Sequence, residues 1–543
     1  MSQTPEKQEY VPAPRHDLAW RLAAVAPTIL VFAGLVVRLI SAHSKFLNAD
    51  EAMHYLLAMQ PTLAEAYRAS LGTAHPPLLI IFLHYWGMIS HSDFFLRLPS
   101  AFAGTAAGCF LYLWLRDVTD RTTGLIALSL LLFSPALIYT SAEVRQYALL
   151  LCFMAATLYF LDRAFAANSP GLMLASAMTL YLAVLTHYAA LIFGVSIAIY
   201  GVLRIADMRP KRLLVVAWIG AQAGFVAIAA FLWKTHISVI RHRSLTQDVA
   251  QSYLRSSLFH PGQENVFVFL GRANLRLFHF LFSEGAVSIV GMLLFVAGIV
   301  VLLKRNNSGG EGRRPSARQL GILLLLPFLI NCAAALAGVY PYGGTRHDSY
   351  LAIFAIPAIA IAIARWRPVR KWATPVVIAI ALAICNFTVI PAGSYIRPEN
   401  QKKELMEQAV DYLKASAAPG SIILADYESG LLLSYYVCGT DITHSGEVKE
   451  FFYISRCGEY ESASLLPRLW VFRAATFPMQ VKAFANNALG ELRGREIWLF
   501  QAGFIVDREP EFQALLGRYG CQSPRKFGAN ILVCRIELPE TTQ

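Results

Sequence analysis

Charge is scarce in this chain. Only 15% of its 543 residues are Asp, Glu, Lys or Arg, against roughly a quarter in ordinary soluble domains. With 56% hydrophobic residues and a positive mean hydropathy, the polar surface is too small to clothe several water-soluble cores. That shortage excludes the string of soluble domains that length alone would suggest, and it excludes bulk disorder. Cysteine is sparse as well: eight residues, with no Cys-x-x-Cys pair and no Cys/His cluster of zinc-finger spacing. A phosphate-cradling G-x-x-x-x-G-K-[ST] loop is missing, which argues against ATP-driven transport. No A-x-A-like cleavage site follows the first hydrophobic run, so that run reads as an uncleaved first helix.

Long apolar runs are what the chain does have. They fall at about 22–40, 95–115, 122–140, 146–161, 171–187, 190–203, 213–233, 286–303, 319–339, 350–364 and 373–391. Each approaches the ~20 residues needed to cross a bilayer, so about eleven transmembrane helices are expected. Arg38, near the end of the first run, is expected to snorkel to the interface. The short apolar segment 75–90 reads as a re-entrant or interfacial helix.

The formal net charge of +12 is unevenly spread. The tail from Tyr395 onward carries −2, which leaves +14 on the hydrophobic part. Four short loops (116–121, 204–212, 304–318 and 365–371) hold 15 Lys/Arg, whereas 141–145 and 340–348 hold one each, Arg145 and Arg346. This positive-inside asymmetry puts the N-terminus in the cytoplasm and, with an odd span count, the C-terminus outside. No basic helix or aromatic platform is set aside for nucleic acid, and none is expected to bind. The expected division is a membrane domain over 1–394, with large outer loops at 42–94 and 234–285, and an outer α/β domain over 395–543. In that tail an amphipathic helix at 403–416 and strands near 421–426, 468–474, 496–503 and 529–538 alternate, with a helix near 510–520. Cys438, Cys457, Cys521 and Cys534 all fall there; an oxidising compartment permits two disulfides among three connectivities, and local pairing 438–457 and 521–534 is expected.

Residues able to carry chemistry collect on the outer side. In FLNADEAMHYLLAM, 46–59, Asp50 and Glu51 are adjacent and His54 lies one helical turn from both, followed by Tyr55. As plain structure, Asn48 or Asp50 caps a helix; as chemistry, an acid sits beside the membrane, available as a general base or to orient a cation. His75 precedes two prolines, Glu143, Arg145 and Tyr147 arrive at an interface, His187 ends the fifth span, and Arg346 lies in the loop YPYGGTRHDSYL. Each alone reads equally as an interfacial anchor. Anchors would scatter over both faces, whereas these five segments converge on one.

The ordered set D-E (50–51), H-P-P-L (75–78), R-L-P-S (97–100), S-P-x-x-I-Y (134–139) and E-x-R-x-Y (143–147) resembles the polyprenyl-phosphate-dependent GT-C glycosyltransferases. The similarity is to the branch holding protein O-mannosyltransferases and the aminoarabinose or galacturonic acid transferases of lipid A and lipopolysaccharide core. The resemblance implies a polytopic α-helical GT-C fold in the bacterial inner membrane, with a C-terminal periplasmic α/β domain. It implies transfer of a sugar from a polyprenyl-phosphate donor to a hydroxyl or phosphate of a lipid, lipopolysaccharide or protein acceptor at the periplasmic face. Asp50 would then be the catalytic acid with Glu51 as partner. His54, Tyr55, His75, Glu143, Arg145, Tyr147, His187 and Arg346 would bind substrate, with Arg145, Arg346 and His75 on the donor phosphate. No cofactor is required by the sequence, and a divalent metal is left open. Competing readings are a lipid-linked sugar flippase or transporter, a glycan polymerase or ligase, and a binding module on a membrane anchor. Mostly apolar span centres without a duplicated half argue against a transporter.

Overall fold

The computed structural model describes residues 17–241, 254–283, 285–305, 314–365, 398–439, 452–465, 496–502 and 521–536. Helix α1 (Asp17–His43) is followed by three short helices, α2 (Ala49–Ala58), α3 (Leu63–Ser70) and α4 (Leu78–Trp86). Then come α5 (Asp93–Val118), α6 (Arg121–Phe133), α7 (Pro135–Ser141), α8 (Tyr147–Ala167), α9 (Pro170–Thr186), α10 (Ala189–Met208) and α11 (Arg212–Leu232). Helices α12 (Val266–Phe282), α13 (Gly285–Lys304), α14 (Ala317–Leu336) and α15 (Ala352–Arg365) complete the membrane part among the described residues. Eight helices there are long and apolar enough to cross a membrane, or nine if the bent pair α6–α7 is one span. Helix α9 is apolar but only 17 residues long. The expected span at 373–391 lies outside the described residues.

The expected continuous helix 122–140 is in fact broken, with α6 and α7 meeting at 61°. Pro135 explains this. It lacks an N–H, and its ring disfavours helical backbone at the residue before it; Ser134 is accordingly extended, at ψ 123°. The break also corrects the expectation for Arg38, which is fully buried and does not reach the interface. Its Nη1 donates to the carbonyls of Leu132, 2.9 Å away, and Gly34, 3.0 Å away. A cation thus meets carbonyls at the end of α6, where the helix dipole favours positive charge.

Close backbone approach helps the bundle pack. Gly298 in α13 faces α15 so tightly that a Cβ there would lie 2.1 Å from the Ala358 carbonyl oxygen. The small residue lets two helices meet without steric conflict, as membrane interfaces commonly require.

Beyond the membrane part lie α16 (Lys403–Ser416), β1 (Ile422–Ala425), α17 (Tyr427–Leu433), β2 (Phe452–Cys457), β3 (Tyr460–Leu465), β4 (Ile497–Ala502), β5 (Cys521–Phe527) and β6 (Ile531–Ile536). The six strands form one mixed sheet in the order β2-β3-β1-β4-β6-β5, with β1 parallel to both neighbours. Met406, Ala409, Val410 and Leu413 of α16 are buried in the core of this unit with the sheet's Ile423, Phe500 and Val533. Disulfides join Cys438 to Cys457 and Cys521 to Cys534, the local pairing expected. The expected strand at 468–474 and helix at 510–520 lie outside the described residues, as does Cys385.

The sheet unit grips the segment after α1 directly. Phe46 N–H donates to the Gln401 carbonyl and Lys403 N–H to the Ser44 carbonyl, each at 3.1 Å. A π turn after α17 (Ser434–Cys438) brings the Tyr436 hydroxyl to Asp93, 2.6 Å away, while Leu47 N–H donates to the same hydroxyl at 2.7 Å.

Candidate active site

The site grows from the start of α2. Asn48 caps the helix: its Oδ1 accepts from Glu51 N–H at 3.0 Å, and Asn48 N–H donates to Glu51 Oε2 at 2.9 Å. Both orphan donors of the helix end are thereby satisfied. Glu51, fully buried, also forms a two-pronged pair with Arg97 of α5, Nε to Oε1 at 2.8 Å and Nη2 to Oε2 at 2.7 Å. Arg97 spends its remaining donors on the carbonyls of Ala42, Lys45 and Phe46. Glu51 therefore braces the loop, and its neighbour Asp50 is left facing the other way.

Asp50 Oδ2 meets two guanidinium groups, Arg145 Nη1 at 3.0 Å and Arg346 Nη2. Burial pushes its carboxyl upward, but Arg145, then Arg346 and His54, outweigh that and hold it well below the usual range. Both guanidinium carbons lie over the Tyr147 ring, 5.7 and 6.0 Å from its centroid, a cation–π arrangement.

Different devices aim the two arginines. Arg145 sits just before α8, and its carbonyl accepts from Ser100 Oγ at 3.2 Å. Arg346 opens a 3₁₀ turn (Arg346–Leu351) after a loop containing Gly343 and Gly344 at φ 115° and 82°. A Cβ on Gly344 would lie 2.5 Å from the Arg276 carbonyl oxygen of α12, so glycine serves both the backbone conformation and the close approach. The buried Asp348 gathers this loop, accepting from Gly343 N–H at 3.1 Å, Thr345 N–H at 3.3 Å and Asn331 Nδ2 at 3.2 Å.

Four imidazoles lie beside the arginines. His75 stacks on His187 at 5.4 Å between centroids and on His347 at 6.3 Å, and His54 is 5.9 Å from His75. Hydrogen bonds assign their protons. A carbonyl only accepts, so His54 Nδ1 carries the hydrogen it directs at the Asp50 carbonyl, 2.6 Å away. His187 Nδ1 accepts from Ala189 N–H at 3.1 Å, and His75 Nε2 accepts from Arg145 Nη2 at 3.4 Å. His187 and His75, each accepting at one nitrogen, are thus neutral rings. Burial and Arg145 lower His54 to about 3 and His75 well below the ordinary histidine value. Among the described residues no group of three or more His, Cys, Asp or Glu is arranged to hold a metal ion.

Glu143 completes the site. Its Oε1 accepts from Asn48 Nδ2 at 2.8 Å, while Oε2 has no hydrogen-bond partner among the described residues. Burial raises its carboxyl. The structure thus gathers Asp50, His54, His75, Glu143, Arg145, Tyr147, His187 and Arg346. It turns Glu51 toward Arg97 and Tyr55 toward His91, whose Nδ1 is 2.8 Å from the Tyr55 hydroxyl. His347, marked in the sequence only as the neighbour of Arg346, joins as the fourth imidazole, and Asn48, expected only as a helix cap, also binds Glu143.

Residues 74–233, less than a third of the chain, match the family described as dolichyl-phosphate-mannose-protein mannosyltransferase. The fold is similar to that of ArnT from Cupriavidus metallidurans, solved bound to undecaprenyl phosphate: TM-score 0.55, 12% identity, covering 96% of this chain and 98% of that one. It is also similar to the oligosaccharyltransferase of Archaeoglobus fulgidus in its apo form: TM-score 0.52, 12% identity, covering 92% of this chain and 71% of that one. A comparison with curated protein sequences gives no match. The structural likeness shows a GT-C fold, and the family match over residues 74–233 is to glycosyltransferases.

Proposed function

We propose that this protein moves a sugar from a polyprenyl-phosphate donor to a hydroxyl or phosphate of a lipid, lipopolysaccharide or protein acceptor, at the periplasmic face of a bacterial inner membrane. One observation carries the reading: a carboxylate, Asp50, held between Arg145 and Arg346 at the ends of apolar helices. The opposite ends of α5, α10 and α13 lead into the basic loops 116–121, 204–212 and 304–318. That distribution supports an outward-facing site.

The chemistry follows from the charges. Breaking the sugar–phosphate bond leaves growing negative charge on phosphate, and two guanidinium groups are suited to take it by charge-assisted hydrogen bonds. Without donor, they rest on Asp50. A donor phosphate competes for them and frees the carboxylate to orient the acceptor. Transfer with inversion needs one activating base and no second nucleophilic carboxylate. Among the described residues His75 Nδ1 and His187 Nε2 have no hydrogen-bond partner, and as the protonated nitrogens of their rings they supply neutral donors for sugar or phosphate oxygens.

The test is transfer by the full chain in lipid nanodiscs, supplied with short-chain polyprenyl-phosphate sugars and envelope extracts and read by mass spectrometry. Asp50→Asn is expected to lower turnover by roughly 10²–10⁴. Full activity of a folded Asp50→Asn protein would remove Asp50 from the reaction.

A further inference from the structure

A carboxylate paired with two arginines is a poor proton acceptor, and the site holds a better-placed one. His54 is 1% exposed, one turn after Asp50 on α2. Its Nδ1–H is committed to the Asp50 carbonyl at 2.6 Å, so the lone pair is on Nε2. This is the orientation that makes an imidazole a general base: one nitrogen anchored as a donor, the other left to accept.

Building on the lipid-phosphate-sugar reading, the geometry points to His54 as the group that removes the acceptor's proton, with Asp50 as the residue that anchors that imidazole and parks the two arginines until donor arrives. In the step, the acceptor O–H proton passes to His54 Nε2 and the acceptor oxygen bonds to the anomeric carbon. The anomeric carbon–oxygen bond to phosphate breaks, and its electron pair leaves on the phosphate held by Arg145 and Arg346. One new positive charge on His54 balances the one new negative charge on phosphate. No further reactant is needed.

The charged and titratable groups around His54 make this base conditional on donor. From its own helix Asp50 favours the imidazolium; Arg145 and Arg346 oppose it. His75, from the turn before α4, faces it as a neutral ring. Before donor binds, burial first and then the arginines keep His54 from charging. A phosphate anion placed on those arginines offsets their field and leaves burial alone against the charge, so His54 rises in the direction of the ordinary imidazole value of about 6.5, whereas an aspartate rises only toward about 3.9. A base working near neutral pH is best matched by the first. Acceptor activation therefore follows donor binding, and a lone acceptor meets a site without a working base.

The experiment is the pH dependence of single-turnover transfer by the full chain in nanodiscs, with donor saturating. Wild type is expected to lose rate below an apparent ionisation near 6–7. His54→Gln, which keeps a donor toward the Asp50 carbonyl, is expected to slow transfer roughly 10²–10⁴-fold and abolish that limb, with affinity for a short-chain polyprenyl phosphate unchanged. Imidazole added to His54→Ala is expected to restore part of the rate. Asp50→Asn is expected to be slow but to keep the limb. A wild-type profile with no ionisation between about pH 5.5 and 7.5 would overturn the assignment without recourse to any variant. So would a His54→Gln profile that retains the limb. Failure of wild type to use any polyprenyl-phosphate sugar would instead remove the underlying reading.

Discussion

Asp50, Arg145 and Arg346 form a triangle in which each arginine has two uses. Arg145 reaches Asp50 through Nη1 and His75 through Nη2, so its planar fork spans two partners that a single ammonium would have to choose between. Arg145→Lys is accordingly expected to weaken binding of a short-chain polyprenyl phosphate by about tenfold, the scale of one charge-assisted hydrogen bond. Unchanged affinity would make Arg145 an interfacial anchor. The same electrostatics act on folding. His54 is neutral in the fold down to about pH 3, whereas an unfolded imidazole takes its proton near 6.5. Between those values the unfolded chain binds more protons, so stability is complete above about 6.5 and declines as pH falls. Thermal melts of the donor-free protein are expected to show this slope, to which the likewise lowered His75 adds, and His54→Gln is expected to make it shallower; an unaltered slope would place the titration elsewhere. The membership of this cluster was largely legible in the sequence, because each residue sits beside an apolar run at one membrane face. What each residue touches was not, since Asp50 and Arg346 are 296 positions apart.

At the level of elements, the short helix α2 is fixed by a residue that spacing made look catalytic. Glu51 joins the Asn48 capping box, and Arg97 ties it to the 42–46 loop. The cap itself was readable from Asn48 and Glu51 at three-residue spacing. Arg97 was not, for it lies within an apolar run and its partner is 46 residues earlier. The break between α6 and α7 could also have been found: Ser-Pro inside a hydrophobic run predicts a boundary. Glu51→Gln leaves the Arg97 guanidinium without its countercharge in a buried setting. Breaking such a pair costs about 3–5 kcal/mol, so a lower melting temperature is expected even with donor absent. A variant as stable as wild type but slow in transfer would move Glu51 from the frame of the site into its chemistry.

Across the whole molecule, the C-terminal sheet unit is part of what shapes the membrane site. The strand-like stretch 44–47 pairs with 401–403 on one side and, through Leu47 and the Tyr436 hydroxyl, with the π turn on the other. Asn48 begins α2 directly after it. The Cys438–Cys457 disulfide closes the same π turn against β2, so a covalent link in the sheet unit stands a few residues from the contact that positions Asp50. The existence of this α/β unit and its cysteine pairing could be expected from alternating helix and strand signals and from four cysteines confined to the tail. Its docking could not, because the residues that make it, Tyr435 and Tyr436 with Asp93, carry no pattern separating them from ordinary interfacial aromatics. Tyr436→Phe removes the donor to Asp93 Oδ2 and the acceptor for Leu47 N–H, leaving that oxygen and that N–H without these bonds in a buried contact, while Tyr435 still donates to Asp93 Oδ1. Each such loss costs about 1–3 kcal/mol. The variant is expected to melt at lower temperature and to expose the 44–47 stretch to amide hydrogen exchange, with transfer reduced because Asp50 is no longer held in register with the arginines. Cys438→Ser paired with Cys457→Ser should produce the same exchange signature from the other end of the contact. Faster exchange confined to the sheet unit, with 44–47 still protected, would show that this unit rides on the membrane part without organising its site.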